Sequence, residues 1–319
     1  MNNSIDEVIK LLKNSKKVGV FCHTRPDGDA LGGMLALALA LRNAGKYAVA
    51  FCEDEPPEKY CFLSTVKELK TDFQDTDYDL LVSVDCADST RMGYFAKTFT
   101  KFKGVTLNID HHISNTNFAK YNYVKECPAS CQILSDILIK AQFEINKEIA
   151  DLLMLGLITD TGNFVHSDVT AATFQTAAML RDKGADVQVI NYYMYQHQPR
   201  ARAELYGKVM SNIRYAHEDK FAYIVISARD IEESGAEKSM TEGFVDFPLT
   251  IDGVEVSAAL LEFKEGQYKT SLRSKGKVNV NAVASSFGGG GHILASGCTL
   301  FGSLEEVIDK LCYAVYQNL

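Results

Sequence analysis

The chain has 319 residues, 46% hydrophobic and 23% charged, enough for a sizeable core and, at ordinary domain sizes, about two domains. Its net charge of −8 excludes a protein that grips long nucleic acid by neutralising the phosphate backbone, which needs many clustered Lys and Arg. No apolar run approaches the roughly 18 residues of a membrane span, and Met1-Asn-Asn-Ser-Ile-Asp-Glu7 lacks the basic and then apolar sections of a signal peptide, so a cytoplasmic protein away from the membrane is expected.

A small anionic substrate is compatible with the acidic balance, because metal ions can supply positive charge locally and the excess acid can include their ligands. Eight cysteines (Cys22, Cys52, Cys61, Cys86, Cys127, Cys131, Cys298, Cys312) are scattered rather than spaced as a disulfide framework, and free thiols are expected. Cys127 and Cys131 form a C-x3-C pair, but with no second pair and no nearby His it makes a poor zinc site.

In chain order, residues 18–22 read as a buried strand. Residues 30–44, rich in Ala and Leu and stopped by Gly45, read as a helix apolar enough to pack on a sheet. The strand signal repeats at 47–52, 80–84 and 105–109, and the helical one at 129–142 and 147–157. This βαβ alternation predicts a parallel sheet with helices on both faces. Residues 186–213 are polar and helix-compatible with one break at Pro199, and suit a connecting helix pair. Strand-like runs follow at 221–227, 254–263 and 268–273, then a glycine run at 288–291 and an amphipathic helix from Ser303. These predict a smaller α+β domain. There is no internal repeat, low-complexity tract or heptad series.

Four acidic or histidine clusters directly follow apolar runs: His23-Thr-Arg-Pro-Asp27-Gly-Asp29, Asp85, Asp110-His111-His112, and Asp160. Residues at the carboxyl ends of strands in an open α/β sheet converge on one crevice, so these clusters are expected to meet. A single aspartate after a strand commonly only caps the next helix, and Asp29 and Asp160 suit that role individually. The whole set, with three histidines interleaved, does not. Several carboxylates in one crevice repel unless cations neutralise them. Carboxylate and imidazole without cysteine suit Mn²⁺, with Mg²⁺ or Co²⁺ as substitutes. A pair of such ions about 3.5–4 Å apart can activate water and stabilise the departing oxygen of a phosphate ester. Adjacent His111 and His112 cannot point the same way from regular backbone.

In this order, His23-Thr-Arg-Pro-Asp27-Gly-Asp29-Ala-Leu-Gly, Val84-Asp85, Asp110-His111-His112 and Gly156-Leu-Ile-Thr-Asp160-Thr-Gly resemble the four motifs of the DHH phosphoesterase superfamily. In the second half, Phe287-Gly-Gly-Gly-Gly-His292 resembles the GGGH signature of the DHHA1 nucleotide-binding domain, and Ser271-Leu-Arg273-Ser its preceding basic strand. The resemblance covers essentially the whole chain. It departs at Gly33, where relatives often have Ser, and at Cys86, where they often have Thr or Ser. It implies a DHH catalytic domain at 1–185, a helical linker at 186–213 and a DHHA1 substrate-binding domain at 214–319. It further implies one metal on His23, Asp27 and Asp85 and a second on Asp29, Asp85, His111 and Asp160, with Asp85 shared. His112 resembles the family's phosphate-contacting histidine, and Asp110 is placed to orient a neighbouring imidazole, so Asp85, Asp110 and His112 are the expected catalytic residues. Arg273, Gly289, Gly290, Gly291 and His292 join His112 as expected substrate contacts, because glycines let backbone N–H groups approach an anion and the two side chains can donate to phosphate.

Within that superfamily the two-domain size resembles the oligoribonuclease/pAp-phosphatase (NrnA-like) group. The resemblance implies Mn²⁺-dependent hydrolysis of short RNA oligonucleotides or of pAp to mononucleotides, with no long nucleic acid and no membrane as partner and a homodimer left open. A phosphodiesterase for pApA or cyclic dinucleotides shares the same motifs. A DHH-type pyrophosphatase lacks the GGGH element. A catalytically inactive nucleotide-binding regulator would not need every ligand position filled.

Overall fold

A computed structural model of the chain describes residues 2–73 and 77–319. They divide into two compact units, one ending at His197 and the other beginning at Gln198.

The first unit is built on a five-stranded sheet. Its strands are β1 (Lys17–Phe21), β2 (Tyr47–Phe51), β3 (Leu80–Val84), β4 (Val105–Asp110) and β5 (Tyr121–Val124). They run parallel in the order β2-β1-β3-β4-β5. Alternation along the strands sends Val18, Val20, Val82 and Val84 to one face, where they pack with helices α1 (Ile5–Asn14), α2 (Gly28–Asn43), α4 (Ser130–Lys140) and α5 (Lys147–Asp160). Phe21, Phe51 and Leu81 go to the other face and meet α3 (Phe95–Lys101) through Phe95 and Phe99. Both faces are covered, as the near-continuous apolar strands require. α1 and β5 were not legible as separate elements. α1 is a short amphipathic helix started by a capping box between Ser4 and Glu7, and β5 is an edge strand of four residues with a single fully buried one.

Two further helices, α6 (Ala171–Asp182) and α7 (Val187–Asn191), and a π-helical turn at Tyr192–Gln196 close this unit. The second unit starts with α8 (Arg200–Met210), whose Leu205 and Val209 are buried against Ile224 and Phe244. The break between units therefore falls inside the segment 186–213.

The second sheet has six strands: β6 (Arg214–Ala216), β7 (Phe221–Ile226), β8 (Val256–Lys264), β9 (Gln267–Ser274), β10 (Gly290–Gly291) and β11 (Ala295–Phe301). Their order is β10-β11-β9-β8-β7-β6, antiparallel except for the β7–β8 pair. Short helices α9 (Ala228–Ser234) and α10 (Asp246–Leu249) follow β7, while α11 (Val280–Ser285) and α12 (Leu304–Tyr316) supply Val283, Val307 and Leu311 to the core on one face of the sheet. The molecule is α/β with a parallel-sheet unit and a smaller α+β unit. All eight cysteines are free thiols.

Candidate metal centre

The first three sequence clusters lie at the carboxyl ends of β1, β3 and β4, where a parallel sheet collects its loops. The fourth arrives differently: Asp160 is the last residue of α5. It reaches the cluster because α5 packs unusually close to α2 and α4. At Gly156 an added Cβ would lie 2.3 Å from the Cys131 Sγ and 2.9 Å from the Asp29 Cα, so only glycine permits this approach.

Each member is fixed by a second contact. Asp27 caps α2 by accepting from the backbone N–H groups of Asp29 and Ala30 at 3.1 and 3.0 Å, which leaves its Oδ2 3.7 Å from His23 Nε2. Asp29, fully buried, accepts from the Ser130 and Cys131 N–H groups at 2.6 and 2.9 Å, at the start of α4. Asp85 follows β3 with a positive φ of 58°, a left-handed conformation that Asp tolerates better than most residues and that turns its carboxylate off the strand's alternation. His23 donates from Nδ1 to the Thr24 carbonyl at 2.8 Å, and His111 from Nδ1 to the Cys127 carbonyl at 2.9 Å. A carbonyl can only accept, so both rings carry their proton on Nδ1 when neutral and present Nε2 as a lone pair, the tautomer a metal takes.

The carboxylate of Asp85 sits between these two rings. Its Oδ2 is 3.5 Å from His23 Nε2 and its Oδ1 is 3.3 Å from His111 Nε2. His111 Nε2 is also 3.3 Å from Asp160 Oδ2. The expected divergence of His111 and His112 does not occur. β4 ends at Asp110, the following backbone is irregular, and both rings face Asp85 with centroids 4.5 Å apart. His112 Nδ1 is 2.8 Å from Asp110 Oδ1, and Asn115 holds the other Asp110 oxygen at 2.5 Å.

The electrostatics are those of carboxylates and imidazoles crowded into a buried site. Burial alone would lower the histidine pKa values, but Asp27 and Asp85 push His23 up to about 10, and Asp85, Asp29 and Asp160 do the same to His111. Burial, reinforced by the neighbouring carboxylates, pushes Asp29 up to about 7 and Asp160 up to about 9. Asp85 is the exception: burial pushes it up, yet hydrogen bonds from His111 and His23 win and hold it well below the usual carboxylate range. Among the described residues, three groups have ligand atoms close enough to hold an ion: His23, Asp27 and Asp85; Asp29, His111 and Asp160; and Asp85, His111 and His112. The donors are carboxylate and imidazole only, and Asp85 belongs to more than one group, so the residues fit a pair of divalent ions sharing a ligand.

Comparison with known proteins gives the family to which the chain belongs. The DHH family N-terminal domain matches residues 17–157 and the DHHA1 domain matches residues 218–318. The bifunctional oligoribonuclease and PAP phosphatase NrnA of Thermus thermophilus is 30% identical over 99% of this chain and 93% of its own length. The chain belongs to the DHH family of phosphoesterases. The probable bifunctional oligoribonuclease and PAP phosphatase NrnA of Streptococcus mutans is 28% identical, covering 98% of this chain and 96% of that one. The crystal structure of an exopolyphosphatase-related protein from Bacteroides fragilis superimposes with a TM-score of 0.90 at 26% identity, over 98% of this chain and 95% of that chain.

In the DHHA1 domain the glycine run is not a plain loop. An added Cβ on Gly289 would lie 2.2 Å from the Gly297 carbonyl oxygen, and Gly290 and Gly291 form β10, paired with Gly297 and Ser296 of β11. Both are exposed, as is His292, whose N–H donates to the Ala295 carbonyl at 2.7 Å. Arg273 lies on β9 opposite Ala295, at the same end of the sheet, and donates from Nε to Asp246 Oδ1 at 3.0 Å.

Several residues of the DHH site escape sequence reasoning. Ser130 donates its hydroxyl to Asp85 Oδ1 at 3.0 Å, and His166 donates from Nδ1 to the Asp160 carbonyl at 2.9 Å. Ser130 carries one signal, its place just after Pro128-Ala129 at a helix start. His166 carries none. No helix among the described residues is long and apolar enough to cross a membrane.

Proposed function

We propose that this DHH-family chain is a two-metal hydrolase that cleaves short oligoribonucleotides and pAp to mononucleotides. The observation that carries it is the division of one buried carboxylate: Asp85 turns one oxygen to His23 and the other to His111. In this reading His23, Asp27 and Asp85 hold one ion, and Asp29, Asp85, His111 and Asp160 hold the other, with Mn²⁺ the best match to the donors. When bound, such a pair supplies positive charge at the scissile phosphate and a water nucleophile at neutral pH.

The protein's own groups then have separate tasks. Asp29, Asp85 and Asp160 give up protons or ion pairs to receive the metals, which relieves their mutual repulsion. The Nδ1 of His112 is committed to Asp110, so its Nε2 serves the substrate phosphate, and Asp110 holds the ring in that orientation. Arg273, Gly289, Gly290, Gly291 and His292 contact the nucleotide. The names of the relatives from Thermus thermophilus and Streptococcus mutans support the choice of substrates.

The test is hydrolysis of a panel with and without Mn²⁺: RNA from dinucleotide to heptanucleotide, pAp, pApA, cyclic di-AMP and pyrophosphate. Metal-dependent release of mononucleotides from dinucleotides and pAp is expected. Preference for pyrophosphate, or turnover that grows with RNA length, would contradict it.

A further inference from the structure

A cavity of about 620 Å³ opens beside the metal-binding candidates, with His111, His112, Lys125, Glu126, Gln132 and Asp168 among its lining residues. This is within the roughly 300–1,000 Å³ of sites that enclose small ligands. Because His112, the proposed phosphate contact, forms part of its wall, a phosphate held by its Nε2 carries its attached group into this space.

Three features define what that group is. Gln132, in the first turn of α4, is only 5% exposed, and its Oε1 is buried with no hydrogen-bond partner among the described residues. An unmade bond of this kind costs stability, which a polar partner at this oxygen would relieve. A half-turn of the amide exchanges its acceptor and its donor, the pair a nucleobase edge complements. The charge balance is the second feature. Among the described residues of the lining, Lys125 is the only Lys or Arg and is already 3.5 Å from Asp136, whereas Glu126 and Asp168 are both acidic. Hydroxyl donors to these carboxylates are therefore favoured here. Third, Ile113 in the same wall is 86% exposed, an apolar surface for a flat ring.

We propose that this cavity receives the nucleoside attached to the reacting phosphate. Gln132 reads the base edge and Asp168 accepts from ribose hydroxyls. The proposal rests on the phosphoesterase reading and adds to it a specificity subsite for ribonucleosides.

Equilibrium binding to the Mn²⁺-loaded protein tests it, with AMP, 2′-deoxy-AMP and inorganic phosphate as probes. Gln132→Met should weaken AMP about tenfold, a loss of about 1.4 kcal/mol, while phosphate affinity stays unchanged. The same variant should raise Tm by a few degrees, because an unpaired buried amide is removed. Asp168→Asn should narrow the preference for AMP over 2′-deoxy-AMP. Equal AMP affinity in Gln132→Met and the unsubstituted protein, or parallel loss of AMP and phosphate, overturns the proposal. A failure of the phosphoesterase reading shows separately, as absence of Mn²⁺-dependent dinucleotide turnover in the unsubstituted protein.

Discussion

The backbone N–H of Ser130 donates to Asp29 Oδ2 at 2.6 Å, closing a loop of 101 residues. The Ser130 hydroxyl at the same time donates to Asp85 Oδ1 at 3.0 Å, so one residue orients a carboxylate from each proposed metal group. Ser130→Ala keeps the first bond and deletes the second. Outer contacts to metal ligands typically cost about 10- to 100-fold in metal affinity when removed. Titration calorimetry with Mn²⁺ should show a loss in that range for Ser130→Ala and recovery in Ser130→Thr.

The two histidines of the Asp110-His111-His112 run should separate by readout. His111 presents Nε2 to Asp85 and Asp160, whereas His112 is tied through Nδ1 to Asp110. His111→Ala should weaken Mn²⁺ binding. His112→Ala should retain both ions and lose roughly 10- to 100-fold in turnover, the range for one charge-assisted phosphate contact of about 1.5–3 kcal/mol. The opposite pattern would exchange the roles.

Metal binding should compete with protons, and the sign follows from the pKa directions. In the metal-free protein burial opposes charge on the histidines, but neighbouring carboxylates push His23 and His111 from 6.5 up to about 10. Burial and neighbouring carboxylates push Asp160 from 3.8 up to about 9. The folded state therefore binds more protons than the unfolded state between pH 6.5 and 9, so metal-free stability falls as pH rises through this window. Mn²⁺ takes neutral imidazole and ionised carboxylate, so its binding releases protons and strengthens as pH rises. The Tm increase caused by Mn²⁺ should grow from pH 6.5 to 9, and the calorimetric heat should vary with buffer ionisation enthalpy. A pH-independent Tm increase would contradict the protonation assigned to these groups.

Arg273 and His292 lie at one end of the second sheet, far in sequence from the proposed ligands. Arg273→Ala and His292→Ala should keep both metals and lose about 10- to 100-fold in kcat/KM on RNA dinucleotides and pAp. On bis-p-nitrophenyl phosphate, which has no nucleoside, the loss should be far smaller. Equal losses on both substrates would place these residues in the chemical step.

Much of this centre is legible in sequence because carboxylates and histidines directly after apolar strands have few other uses in such numbers. His23, Asp27, Asp29, Asp85 and His111 stand out that way, Asp160 follows an apolar run that is the helix α5, and the division of the six between two ions comes from the family resemblance. The parallel sheet was legible for the same reason, from continuous apolar runs such as 80–84. What escaped depends on three-dimensional contact without a composition signal. Ser130 is an ordinary serine until α4 meets Asp29, and the orphaned Gln132 amide is visible only once its surroundings are packed. The facing of His111 and His112 escaped because it depends on where β4 stops, a boundary that periodicity does not fix to the residue.

The most direct measurement is the metal content and turnover of Asp85→Ala beside the unsubstituted protein, after dialysis against Mn²⁺ and elemental analysis. The unsubstituted chain should carry two Mn²⁺ ions, and removing the shared carboxylate should empty or weaken both positions and abolish dinucleotide hydrolysis. An Asp85→Ala protein that keeps two tightly bound ions and near-normal turnover would contradict a two-metal centre bridged by Asp85.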